Sequence, residues 1–192
     1  FEIVVVFSGL SKTLISTDYN NRVDECKVAA WILQELNNEK RKVLKDTRLR
    51  DVSQNTYIKF KNKMPEKFAK RAEHFYTENK RVEEGVKAWE EGDIEHFGKL
   101  MFESGESSIN NYECGCPELI TIYEILKKTR GVYGARFSGA GYRGCCIGLV
   151  DPRFKDEIKE SIDKQYPSKH PEYKDKYQVY YSKTDDGARI IS

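Results

Sequence analysis

The sequence predicts an α+β layer, with helices on one face of a small, mostly antiparallel sheet. Three observations predict it. The chain opens on an apolar strand run, FEIVVVF. Two further strand-like runs, Val132 to Phe137 and Cys145 to Val150, flank a glycine-rich turn. Helical stripes of apolar residues fill the interval before them. Strand, helices, two strands, helix and strand give the layer its order.

The first strand covers about Glu2 to Phe7, and a polar loop follows from Ser8 to Thr17. Asp18 is placed to cap the next helix, in which Val23, Cys26, Ala30 and Leu33 recur at helical spacing to about Leu36. Asn37 to Ser53 is rich in Lys, Arg, Asp and Asn, with few apolar anchors. It reads as a partly exposed connection or short helix, its basic residues a solvated face. The clearest helix runs from Glu66 to about Glu91, with Phe68, Ala72, Phe75, Val82, Val86 and Trp89 on one stripe. Asn79 falls in that stripe. A buried amide has to be hydrogen-bonded, so it either fixes a neighbouring loop or contacts ligand. His74, beside the stripe, reads as packed or half-exposed.

Gly92-Asp93 stops this helix and caps the next, whose buried face is Ile94, Phe97, Leu100 and Met101 and whose end lies near Gly105. After a loop from Ser107 to Cys116, Pro117 opens a helix that runs to about Thr129 on Leu119, Ile122, Tyr123 and Leu126. The glycine hairpin comes next, then an exposed, charged helix from about Arg153 to Gln165. Strands at about Gln178 to Ser182 and Ala188 to Ile191 follow.

A length of 192 residues suits one domain with a real core. A net charge of +2 gives no electrostatic case for nucleic acid or an anionic membrane. No apolar run approaches the roughly 20 residues of a membrane helix, and no signal-peptide pattern opens the chain. Five cysteines, with Cys114 near Cys116 and Cys145 next to Cys146, do not suggest a disulfide framework. Their spacings are not those of zinc modules. Reduced, mostly buried thiols and a cytoplasmic location are the expectation. Phe1 stands directly in a strand run without a leading turn, which reads as a C-terminal fragment of something longer.

Between the hairpin strands lie Ser138, Gly139, Ala140, Gly141, Tyr142, Arg143 and Gly144. Glycine at 139, 141 and 144 permits backbone angles that other residues avoid and lets a ligand or another backbone come close. Successive amides in such a loop can form an anion-binding nest. The alternative is a hairpin that merely turns the chain.

The run GVYGARFSGAGYRGC from Gly131 resembles, without a gap, the third conserved motif of the galactokinase branch of the GHMP small-molecule kinases, GVYGSRMTGAGFGGC. The likeness extends from Ile3 to about Asp151. Tyr19-Asn20-Asn21-Arg22 with Glu25-Cys26 is similar to YNxRRxEC. Arg71, His74, Glu78, Asn79, Arg81 and Val82 match RAxHxxxENxRV. Leu100 to Ser104 match LMxES, and Ser107, Tyr112 and Cys116-Pro117-Glu118-Leu119 match SLRDxYxVSCPELD. The family pattern has His where Gly105 stands, Asp where Ile120 stands and Gly where Arg143 stands. The phrase YGARFSGAGYRGCC, with FSGL at Phe7 to Leu10, is more similar to galacturonokinase than to ordinary galactokinase.

The resemblance implies that residues 1–192 are the ferredoxin-like C-terminal domain of a GHMP kinase, with added helices. For the whole protein it implies an ATP-dependent kinase acting on C1 of galactose or galacturonate. A non-catalytic sugar-sensing relative, or a binding module, is the alternative. The implied cofactors are ATP and Mg2+, held mainly by the protein's own N-terminal domain, which in the family carries a PxxxGLSSS phosphate loop and the catalytic aspartate. No residue of this chain is implied to be catalytic or to ligate metal. The implied partners are ATP, a galactose-configured sugar or uronic acid, and that N-terminal domain, with no nucleic acid or membrane. Ser138, Gly139, Ala140, Gly141, Arg143 and Gly144 are implied to close over phosphate and sugar. Tyr19 either contacts the sugar or is a tyrosine on the first turn of a helix. Arg143 either selects a uronic acid, touches ATP phosphate, or points outward to a surface carboxylate.

Overall fold

The computed structural model describes residues 1–11, 18–40 and 42–187. The strand expected at Ala188 to Ile191 lies outside the described residues. Length suggests a single domain. The chain divides into two compact units, one of residues 1–12, 87–105 and 115–192, the other of residues 13–86 and 106–114.

The first unit holds the sheet. Strands β1 (Glu2–Phe7), β2 (Val132–Phe137), β3 (Cys145–Val150) and β4 (Gln178–Ser182) coincide with the four expected runs and lie in the antiparallel order β2-β3-β1-β4. Strand β1 is interior: Val6 stands opposite Cys146 of β3 and Val179 of β4. That explains its unbroken apolar run, for Val4 and Val6 are fully buried and their neighbours half-buried. Helices between β1 and β2 and between β3 and β4 complete the ferredoxin-like β-α-β-β-α-β arrangement.

Helix α5 (Pro117–Lys128) has Pro117 at its start and packs on β2 and β3 and on α6 (Lys155–Lys169). Leu119, Ile122, Tyr123 and Leu126 are fully buried, as their spacing predicts. Helix α6 departs from the exposed, charged helix expected there. A 3₁₀ turn at Pro152–Phe154 precedes it, and it runs through Pro167 to Lys169. Ile158, Ile162 and Tyr166 form a fully buried stripe along it. Three large side chains suffice to dock a polar helix. Each contributes about 1.5–3 kcal/mol on burial, whereas the exposed charge pairs that dominate its composition contribute about 0–1. The Tyr166 hydroxyl also donates to the Ser8 carbonyl at 2.6 Å.

Helix α4 (Ile94–Asn110) runs past Gly105, where its end was expected, so the following loop begins after Asn110. The end of α4 buries small residues, Ser104 and Gly105 and, in the extension, Ser107 and Ser108, rather than the large apolar ones that mark a helix face in sequence. Small residues also set how closely α4 meets β2. A methyl on Gly98 would overlap the Tyr133 carbonyl, and one on Gly134 would overlap the Gly98 backbone. Gly105 has the Tyr123 ring 2.5 Å from the position a Cβ would take. The histidine of the family pattern has no room there.

The second unit is helical, built from α1 (Tyr19–Leu36), α2 (Gln54–Phe60) and the larger part of α3 (Glu66–Glu90) around Ala30, Leu33, Leu49, Tyr57, Phe60, Ala72 and Tyr76. Asp18 sits at the start of α1 but makes no backbone cap; its carboxylate accepts from the Asn21 side chain at 3.1 Å. The 37–53 segment is better anchored than its composition suggests. It forms 3₁₀ turns at Leu44–Asp46 and Leu49–Asp51 and buries Thr47, Leu49 and Val52. The Tyr76 hydroxyl donates to the Leu49 and Val52 carbonyls at 3.2 and 2.9 Å. Helix α2, absent from the sequence reading, is capped by the Ser53 hydroxyl, which accepts from the Thr56 amide at 3.1 Å.

The stripe expected along α3 holds only in its first half. Ala72 is buried and Phe68 and Phe75 half-buried, but Val82, Val86 and Trp89 are exposed. In that stretch the buried positions are Gly85 and Ala88. Asn79 is likewise exposed rather than buried, so no buried amide has to be satisfied there. His74 is half-buried, as expected: Nδ1 is 3.0 Å from the Ser107 hydroxyl and the ring lies against Tyr112.

Candidate functional site

The loop from Ser138 to Gly144 is held at three points. The Ser138 amide donates to the Cys145 carbonyl at 2.9 Å, closing the β2–β3 hairpin. The Gly144 carbonyl accepts from both the amide and the hydroxyl of buried Ser8, each at 2.9 Å. The Gly141 carbonyl accepts from the Cys116 amide at 2.8 Å, tying the loop to the start of α5. Ser8 and Cys116 thus brace the candidate loop, a role the sequence did not reveal. Both lie inside the FSGL and CPEL motifs, but nothing in a motif reveals which residue braces which.

Gly139, Gly141 and Gly144 have φ of +89°, +79° and +89°, so all three use backbone freedom that side chains rarely permit. Their surroundings differ. A Cβ on Gly141 would meet the Phe137 ring at 2.6 Å and the Gly115 nitrogen at 3.2 Å, whereas nothing lies within 4 Å of one on Gly139 or Gly144. Gly141 is therefore an internal hinge pin, and Gly139 and Gly144 leave open cradles. Ser138, Gly139 and Arg143 are exposed; Ala140, Tyr142 and Gly144 are half-buried. Among the described residues, no protein acceptor takes the amides of Gly139, Ala140 or Gly141. Unpaired amides beside an open cradle suit a phosphate or other anion. The loop contains no carboxylate.

Tyr19 is the first residue of α1, exposed, and belongs to the second unit, whereas the glycine loop belongs to the first. In the second unit the quoted motif residues form a charged network. The fully buried Arg71 guanidinium donates to Glu25 at 2.7 Å, to Glu113 at 2.7 Å and to the Asn111 carbonyl at 2.6 Å. Glu25 also accepts from Arg22 and pairs with Lys67 at 2.6 Å. Burial would raise the Glu25 carboxyl, but Lys67, Arg71 and Arg22 together hold it below the usual carboxylate range. The Arg71 hydrogen bond does the same for Glu113. These residues fix the 111–113 segment, where Glu113 takes a φ of +53°. Burial pushes the Cys26 and Cys116 thiols up to about 11. They are protonated at neutral pH and are not nucleophiles there.

Residues 86–168 match the family model for the GHMP kinases C terminal. The galacturonokinase of Arabidopsis thaliana is 42% identical over 196 residues, an alignment covering 100% of this chain and 46% of that protein. A galactokinase of Roseiflexus sp. (strain RS-1) is 33% identical over 164 residues, covering 85% of this chain and 40% of that protein. Among solved structures, Lactococcus lactis galactokinase complexed with galactose superposes with a TM-score of 0.79 at 26% identity, covering 94% of this chain and 44% of that one. The chain thus spans less than half the length of these relatives.

Proposed function

Since the chain carries a GHMP kinase C-terminal domain, we propose that it is the C-terminal part of an ATP-dependent sugar 1-kinase acting on galacturonate or galactose. The observation that carries this reading is the 42% identity to a galacturonokinase along the whole chain. The open, amide-lined loop supports it. The proposed domain is residues 1–192, and the proposed location is the cytoplasm. Among the described residues no helix is long and apolar enough to cross a membrane.

Phosphoryl transfer is catalysed by positioning and by neutralising charge on the transferred group. ATP, when bound, supplies that group. We assign the amides of Gly139, Ala140 and Gly141 to phosphate or sugar oxygens, a reading supported by the Ser8 and Cys116 bonds that fix the loop. Ser138 and Arg143 present a hydroxyl and a permanent positive charge from the same loop. We assign sugar contact to Tyr19 as well. The catalytic base and Mg2+ ligands are assigned to the N-terminal domain of the longer polypeptide.

Arg143 is the proposed selector of the sugar. Its planar fork suits the C6 carboxylate of a uronic acid, where galactose has a neutral hydroxymethyl group. One charge-assisted bond contributes about 1.5–3 kcal/mol, or roughly ten- to a hundredfold in selectivity. The test is a substrate screen of the full-length polypeptide with ATP and galactose, galacturonate, glucuronate, mevalonate or homoserine, repeated with Arg143→Gly. The expected result is 1-phosphate from a galactose-configured substrate, with Arg143→Gly losing galacturonate turnover and keeping galactose turnover. A rise in the Michaelis constant for ATP with every sugar moves Arg143 to the phosphate instead. Sugar binding without turnover identifies a sensor and overturns the kinase reading.

A further inference from the structure

The glycine loop rests on the start of α5, and the same helix start carries a second group of polar side chains. Glu118 in the first turn of α5, His170 at the C-terminal end of α6 and Glu172 in the 3₁₀ turn Pro171–Tyr173 bring one ligand atom each within 4.8 Å of one another. Glu118 and His170 are half-buried and Glu172 is exposed. We propose that these three residues hold a divalent transition-metal ion of the zinc class.

The donor set favours that class. One imidazole and two carboxylates suit Zn2+, whereas Mg2+ and Ca2+ select all-oxygen ligands. Tetrahedral ligands on zinc bonds of about 2.0–2.1 Å sit about 3.3 Å apart. The group therefore has to draw in by up to about 1.5 Å, a movement that falls to the exposed Glu172 side chain.

The imidazole is also oriented from outside the group, as the ligands of metal sites generally are. Nε2 of His170 is 2.9 Å from the Thr121 hydroxyl, and the ring packs against Tyr166 with centroids 5.1 Å apart. In the tautomer whose Nε2–H donates to Thr121, the lone pair is on Nδ1. The end of α6 adds the partial negative charge of its last carbonyls, which favours a cation. A bound ion would fasten the start of α5 to the connection between α6 and β4. The Cys116 amide that braces the glycine loop lies at that fastening point.

The test is calorimetric titration of the chain with Zn2+, together with absorption spectroscopy of the Co2+ form. The expected result is one ion per chain and a cobalt spectrum without a thiolate charge-transfer band. Glu172→Gln, on an exposed side chain that the fold does not need, should weaken binding at least tenfold, as should His170→Gln. Thr121→Val, which removes only the outer hydrogen bond, should weaken it about 10- to 100-fold. No saturable binding at millimolar Zn2+ overturns the proposal. So does affinity unchanged in Glu172→Gln, or a thiolate band placing the ion on the cysteines.

Discussion

Three glycines of the loop share a left-handed backbone, but a side chain would meet something different at each. At Gly141 a Cβ adds the Phe137 ring, 2.6 Å away, to the backbone strain. At Gly139 only the strain remains, about 1–3 kcal/mol. Gly141→Ala should therefore lower the stability of the chain clearly more than Gly139→Ala, as read from urea midpoints. Equal losses would mean that Phe137 moves aside freely. The glycine run was legible in the sequence as a candidate site, but this division of labour was not. It depends on Phe137 and Gly115 folding against one of the three. Asn79 fails in the opposite direction. Its position in the helical repeat suggested burial, yet the second half of α3 buries Gly85 and Ala88 instead. Hydropathy gives a glycine little weight as a contact surface.

At the scale of elements, small residues again set the packing. Gly98→Ala should destabilise the first unit by several kcal/mol, because the new methyl overlaps the Tyr133 carbonyl and backbone cannot give way as a side chain can. A melting temperature unchanged from wild type would contradict the close approach of α4 to β2. In the second unit, Arg71 joins α1, α3 and the 111–113 segment. Arg71→Leu should cost about 3 kcal/mol, the low end for breaking a buried pair, because Glu25 keeps Arg22 and Lys67. The same pairs make stability depend on pH. Glu25 and Glu113 have lowered carboxyl pKa values in the folded chain. Their contribution is therefore present above the ordinary glutamate range and is lost as pH falls below it. Urea midpoints should drop between neutral pH and pH near 3, and less steeply in Arg71→Leu; parallel profiles would place the pH dependence elsewhere. All four described strands were legible, since period-two runs and a fully buried strand are strong signals. Helix α2 was not. Its buried Tyr57 and Phe60 are surrounded by Lys59, Lys61 and Lys63, and seven residues give too short a period to read.

Across the whole molecule, the order β2-β3-β1-β4 and the helices between strands are those of the expected α+β class. What the sequence did not disclose is the division into two units. Two of its boundaries fall inside α3 and α4, where no linker marks them. The motifs carried the family likeness, yet in the structure many of them serve the fold. Arg22, Glu25 and Arg71 build the charged network, while the residues assigned to substrate, Tyr19 apart, lie in one loop. That loop is where the central claim is most exposed to test. Sugar 1-phosphate formation should be measured in the full-length polypeptide, as wild type and as Gly139→Val, well below the melting temperature of both. A branched side chain at Gly139 fills the open cradle without meeting other protein atoms near its Cβ. The expected result is a folded protein, a few degrees less stable, whose turnover falls at least tenfold. Full turnover in a folded Gly139→Val protein would show the loop to be only a turn.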